Sequence, residues 1–225
     1  MSNVIYGQYD SNEYTLKRFY EYELPLNIKD VMLKLNQDKL AAFRGGLAFV
    51  YLLDERGYLL KDLDMVAYPH CLEKILEYLE DSDIVYVNKN TFGDSVITAF
   101  WRNLDDYYKL DILLCEEMPS LCEKNIDEKV LRIVAPSYLW RNRIEKIAEK
   151  ETRKHDGKKT LNHFYVASEL SQYLYKNRNE LEEKDINIVR IKLHDAQNVL
   201  SKLLTKMEVE EFMKLQLELV GVDFR

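Results

Sequence analysis

The amino-acid sequence predicts an α+β protein: an N-terminal half of α/β type, built as a mixed sheet flanked by helices, followed by a helical C-terminal lobe. Three observations carry this. Short apolar runs of strand character occupy the chain from Leu40 to Val134, apolar positions recur with a period of 3.6 beyond Pro136, and the change of period falls near residue 135. The expected division is a polar, tyrosine-rich N-terminal arm over 1–27, an α/β domain over 28–135 and a helical domain over 136–225.

From Ile28 to Asp38 the residues Val31, Met32 and Leu35 fall at helical spacing. Leu40–Phe43 reads as a strand running into a turn at Gly45-Gly46, where missing side chains permit torsions and close approaches that a Cβ would block. Leu47–Leu53 is apolar nearly all round, which suits a helix buried against a sheet, and Gly57 is the expected left-handed cap.

Residues 58–68 read as a strand. Tyr58, Leu60, Asp62, Asp64, Val66 and Tyr68 then share one face, with the two carboxylates side by side. On a helix the same spacing would turn them roughly 200° apart, so the strand assignment decides whether they form a site.

Pro69 opens a helix carrying Leu72, Ile75, Leu76 and Leu79. Ile84–Val87 and Val96–Trp101 are strands joined through the turn-rich NKNTFGD. Lys109–Cys115 is a further strand, with Asp111 facing opposite to Leu110, Ile112 and Leu114, and Val130–Val134 is the last. Four helices follow, marked by Leu139–Ala148, by Leu161–Ser168, by Ile186–Leu203 and by Glu208–Val220.

Composition narrows the function. Hydrophobic residues at 47% and charged residues at 32% suit a folded globular chain rather than a disordered one. A net charge of −7 gives no global basic field, so a polyanion must be met by a local patch. One exists: Arg141 to Lys159 carries eight basic and four acidic residues.

Cys71, Cys115 and Cys122 show no metal-ligand spacing and read as reduced thiols of a cytoplasmic protein. No run approaches the ~20 apolar residues of a membrane span, so no membrane partner is expected. His155 and His163 read as polar surface or helix-start residues, and no Ser/His/Asp or Cys/His nucleophile can be argued from the spacings.

A Gly-Gly turn at the start of a helix, an Asp-x-Asp strand and a third Asp on another strand suit metal-dependent phosphoryl transfer. Carboxylates hold divalent cations through oxygen, and backbone N–H groups at a helix N-terminus meet phosphate oxygens. The ordered residues AFRGGLAFVYL, KDLDM and KLDILL resemble the polymerase-β-like nucleotidyltransferase superfamily, and within it the AbiEii/AbiGii group of abortive-infection toxins.

That resemblance implies a nucleotidyltransferase-like mixed sheet. It makes Gly45 and Gly46 the phosphate-binding turn, Asp62 and Asp64 the metal-binding pair, and Asp111 the third metal ligand and candidate general base. It also makes Lys146, in IEKIAEK, the family's helix lysine near the nucleotide, and Lys158 a second basic contact. Asn162 and His163 stand where the toxin group carries an acid. The implied cofactor is Mg2+ or Mn2+ and the substrate an NTP. The implied partners are an RNA acceptor such as a tRNA end and a cognate antitoxin.

Other readings stay open at this point. The same fold could bind nucleotide without turnover, or modify a small molecule such as an antibiotic or metabolite. Asp62 and Asp64 could line a solvated strand face, and the basic run a solvated helix face with i,i+4 pairs.

Overall fold

The computed structural model describes residues 3–89, 95–151 and 157–221. The chain divides into two compact units, Met1–Val134 and Ala135–Arg225. The α+β class expected from the sequence is the one observed.

Among the described residues the first unit forms a mixed sheet of eight strands: β1 Val4–Tyr6, β2 Ala41–Arg44, β3 Leu63–Ala67, β4 Ile84–Lys89, β5 Ser95–Asn103, β6 Asp106–Leu114, β7 Leu121–Ile126 and β8 Lys129–Val134. Their order across the sheet is β1-β4-β5-β6-β3-β2-β8-β7. Among the described residues three α-helices accompany them: α1 Leu26–Gln37, α2 Gly45–Leu53 and α3 Leu72–Tyr78. Leu63, Met65 and Ala67 of β3 lie in register with Leu110, Ile112 and Leu114 of the parallel strand β6, and all six are buried. This alternation fixes which face of β3 meets the core, because a slip of one residue would turn every apolar side chain outward.

Helix α2 is buried from Leu47 to Leu52, as its all-round apolar sequence requires. Its cap differs from expectation. Asp54, not Gly57, takes the left-handed conformation at φ 56° and ψ 34°. A short polar side chain tolerates that region, and the Asp54 carboxylate accepts a hydrogen bond from Arg56 Nε at 3.0 Å. Lys124 of β7 donates to the Leu52 carbonyl at 2.8 Å, meeting one of the acceptors a helix end leaves over.

The strand expected over 58–68 is shorter. Pairing starts at Leu63, and Leu60 instead makes an isolated bridge with Phe19. The N-terminal residues are tied into this unit at several points. Val4–Tyr6 pairs in parallel with β4, the Tyr107 N–H donates to the Thr15 carbonyl at 2.9 Å, and Phe19 is completely buried against Tyr108. Tyr14 stacks on Phe100 with ring centroids 4.1 Å apart. The turn between β4 and β5 falls at residues outside those described.

Among its described residues the second unit has four α-helices: α4 Pro136–Ala148, α5 Gly157–Lys176, α6 Glu183–Leu200 and α7 Lys206–Leu219. Pro136 starts α4, where its missing N–H costs nothing, and Thr205 with Glu208 forms a capping box on α7. At the centre, Trp140 Nε1 donates to Gln216 Oε1 at 2.7 Å, and Gln216 Nε2 donates to Ser171 Oγ at 2.9 Å, all three residues being fully buried. Among the described residues no helix is long and apolar enough to cross a membrane.

This network fixes the relation of α4, α5 and α7. Gln216→Met keeps the volume but strands the Trp140 N–H, and urea unfolding followed by tryptophan fluorescence should show a loss of about 1–3 kcal/mol. In a Trp140→Phe background the same change should cost clearly less, since no N–H is then left without its acceptor.

Candidate functional site

Strand β2 runs antiparallel to β3 and ends as Arg44 pairs with Asp64; across β3, Asp64 pairs with Asp111 of β6, which pairs with Thr98 of β5. Residues in register share a face, so Arg44, Asp64, Asp111 and Thr98 form one row across four strands in the middle of the sheet. Neighbouring strands lie about 4.8 Å apart, which sets Asp64 and Asp111 side by side. Both are half-buried. The face is no open solvated surface: Val66, Thr98 and Phe100 beside them are 0–1% exposed.

Asp64 is the second residue of β3, at the end of the sheet where β2 finishes and α2 begins. Gly45, the first residue of α2, has φ +65°. A Cβ built on it would stand 2.0 Å from Asp64 Oδ2 and 2.8 Å from Asp64 Cβ. Two independent reasons therefore require glycine here: a left-handed backbone and a carboxylate in the space a side chain would fill. Gly46 is tight for another reason, its missing Cβ facing Leu60 Cδ2 at 2.9 Å.

Asp111 is held on both oxygens. Thr98 Oγ1 donates to Oδ1 at 2.8 Å, and the Lys109 ammonium meets Oδ2 at 2.5 Å. Lys109, two residues earlier on β6 and so on the same face, keeps only 12% of its side chain exposed. Burial pushes the Lys109 ammonium down, but the carboxylate of Asp111 and the hydroxyl of Tyr9 outweigh it and hold the pKa above the usual lysine range. The alternation in KLDILL puts Lys109 and Asp111 on one face, a face that a solvated strand edge could also present, but here Lys109 is mostly buried.

Asp62 lies just before β3 in a bend and is half-buried. The hard oxygen donors of Asp62, Asp64 and Asp111 suit a divalent cation such as Mg2+. Among the described residues, however, no three acidic, histidine or cysteine side chains stand together as a set able to hold a metal ion. The structure brings Asp64 and Asp111 together and leaves Asp62 off the paired strand. At the opposite end of α2 from Gly45, a cavity of about 230 Å³ is lined by Glu21, Tyr51, Asp54, Arg56, Lys124 and Asp127.

The remaining expected residues belong to the second unit. Lys146 lies on α4 and pairs with Glu149 at 3.4 Å, while Lys158 lies exposed in the first turn of α5. His163 departs from expectation: it is 5% exposed, with Arg143 Nη1 3.3 Å from Nδ1 and, among the described residues, no hydrogen-bond partner for Nε2. Burial, then the charges of Arg143, Lys159, Lys150 and Lys146, push its pKa down to about 3. The imidazole is neutral and sits among four cations. No sequence signal could have found this, because the burial comes from packing between α4 and α5. His155 lies outside the described residues.

No known family and no curated protein matches the chain by sequence. Among solved structures, it is similar to an antigenic nucleotidyltransferase-like protein from Paracoccidioides brasiliensis, at 13% identity and a TM-score of 0.57, over 89% of this chain and 96% of that one. It also matches the antibiotic-resistance factor ANT(2'')-Ia at 15% identity and a TM-score of 0.48, over 78% of this chain and 94% of that one. A nucleotidyltransferase described from H. pylori follows at 14% identity and 0.43, over 88% and 96%. The first of these likenesses shows the fold: a nucleotidyltransferase-like mixed sheet.

Gly45→Ala should lower stability through both of its constraints. The left-handed backbone alone costs an alanine about 1–2 kcal/mol, and the collision with Asp64 adds to it. In an Asp64→Gly background the second part should vanish, so the loss measured by urea unfolding should shrink toward the backbone term.

His163 gives a pH signature. Its folded pKa is depressed, so its contribution is fully present above about pH 6.5 and is lost as pH falls toward 3. Unfolding free energies between pH 7.5 and pH 5 should fall more steeply for the wild type than for His163→Gln, the difference approaching about 1.4 kcal/mol per pH unit.

Proposed function

We propose that this chain is a divalent-cation-dependent nucleotidyltransferase that moves a nucleoside monophosphate from an NTP to an acceptor hydroxyl and releases pyrophosphate. The observation that carries the reading is the seating of Asp64. Its carboxylate rests against a glycine at the amino end of a helix, with a second carboxylate in register on the next strand. Two acids side by side in the middle of a sheet weaken strand pairing, and a purely structural strand gains nothing from them.

Asp62, Asp64 and Asp111 are the proposed ligands of Mg2+ or Mn2+, with residues 28–135 as the transfer domain and 136–225 as a helical domain. The cation, when bound, supplies Lewis-acid polarisation of a phosphoryl oxygen. The N–H groups of Gly45 and Gly46 belong to the first turn of α2, whose amides have no partner within the helix, and receive phosphate oxygens. Asp111 takes the proton of the attacking hydroxyl, a transfer that a positioned carboxylate accelerates about 100-fold or more.

Lys146 and Lys158 are the proposed basic contacts for nucleotide phosphates. An RNA end is the proposed acceptor, on the strength of the cations that gather around His163 in a chain whose net charge is −7. The AbiEii/AbiGii resemblance, borne by the Gly-Gly and Asp-x-Asp residues, carries the further proposal of a cytoplasmic toxin held by a protein antitoxin. A second reading, nucleotide binding without turnover, is favoured by one observation: both oxygens of Asp111 already carry a donor.

The test is transfer of label from each α-labelled NTP, with Mg2+ or Mn2+, to total RNA or to an aminoglycoside. Labelled RNA is expected, with a loss of about 100-fold or more in Asp64→Asn and Asp111→Asn. Label on the aminoglycoside alone would replace the RNA acceptor with a small molecule. Saturable NTP binding with no labelled acceptor would establish the second reading in place of the first.

A further inference from the structure

Lys109 is no ordinary surface lysine. It stands two residues before Asp111 on the same face of β6, its ammonium lies 2.5 Å from Asp111 Oδ2, and the ring of Tyr9 approaches it with a centroid distance of 5.8 Å. Thr98 holds the other oxygen of Asp111. An ammonium and a divalent ion seek the same carboxylate lone pairs and repel one another at the few ångströms that separate them when both are bound.

We infer that the Lys109 ammonium is a resident cation of this site and competes with a divalent ion for Asp111. The inference rests on the proposed cation site. The competitor is covalently fixed beside its acceptor, so it acts at any protein concentration, and the ion's own affinity must displace it. Lys109 is thus a positioning residue that sets the affinity of the site through Asp111.

The experiment is an Mn2+ titration of the full chain without nucleotide, with free Mn2+ read by electron paramagnetic resonance. It compares wild type, Lys109→Gln and Lys109→Met, each with and without Asp64→Asn. The two Lys109 variants should bind Mn2+ about tenfold more tightly than wild type, and Asp64→Asn should abolish the gain. Lys109→Gln keeps a donor for Asp111 where Lys109→Met does not, so a melting transition lost only in the Met variant leaves the comparison intact. Equal, Asp64-dependent affinity in wild type and Lys109→Gln overturns the role of Lys109 and leaves the cation site standing. No Asp64-dependent Mn2+ binding in any variant overturns the cation site itself.

Discussion

Everything at the carboxylate row depends on one close approach, Gly45 against Asp64. The chain leaves β2, reverses its backbone at a positive φ and enters α2 within a single residue, and that residue lies where the carboxylate of the neighbouring strand needs room. The pairing of β2 with β3 sets the distance, because Arg44 and Asp64 are its last register pair. A larger residue at 45 would have to move the helix, the strand or the acid. The buried run from Leu47 to Leu52 holds the helix, and the register with β6 holds the strand. The acid is therefore placed by the core beneath it, and its geometry is as rigid as that core.

Charge is partitioned inside this acidic chain. The first unit places carboxylates next to one another at the centre of its sheet and offsets them with a lysine of the same strand. The second unit does the opposite, gathering Arg143, Lys146, Lys150 and Lys159 about an imidazole that burial first, and their charge second, keeps neutral. Like charges brought together weaken a fold unless a counter-charge joins them, as Lys109 joins Asp111 and Glu149 joins Lys146.

Much of the fold was legible from residue order. The α2 run is apolar on every side, the alternation in KLDILL announces a strand, and the change of period near residue 135 separates sheet from helices. Gly45 and Gly46 were legible as a turn, but the reason for Gly45 was not, since it lies in a side chain that arrives from another strand. The limit of β3 escaped because Leu60 and Asp62 keep the alternation while Leu60 pairs with Phe19 instead. The edge strands β1 and β7 escaped too. β1 is three residues long, and β7 mixes Glu123, Lys124 and Asn125 into its sequence, as an edge with one neighbour allows. His163 reads as a polar helix residue until α4 packs against it.

The N-terminal segment carries a consequence for how the sheet folds. Val4–Tyr6 pairs with β4, Tyr14 meets Tyr86, Phe100 and Tyr107, and Phe19 meets Leu60 and Tyr108. Contacts so distant in sequence must offset a large loop-closure entropy before they stabilise anything. The segment is therefore among the last parts of this sheet to be sealed as it folds.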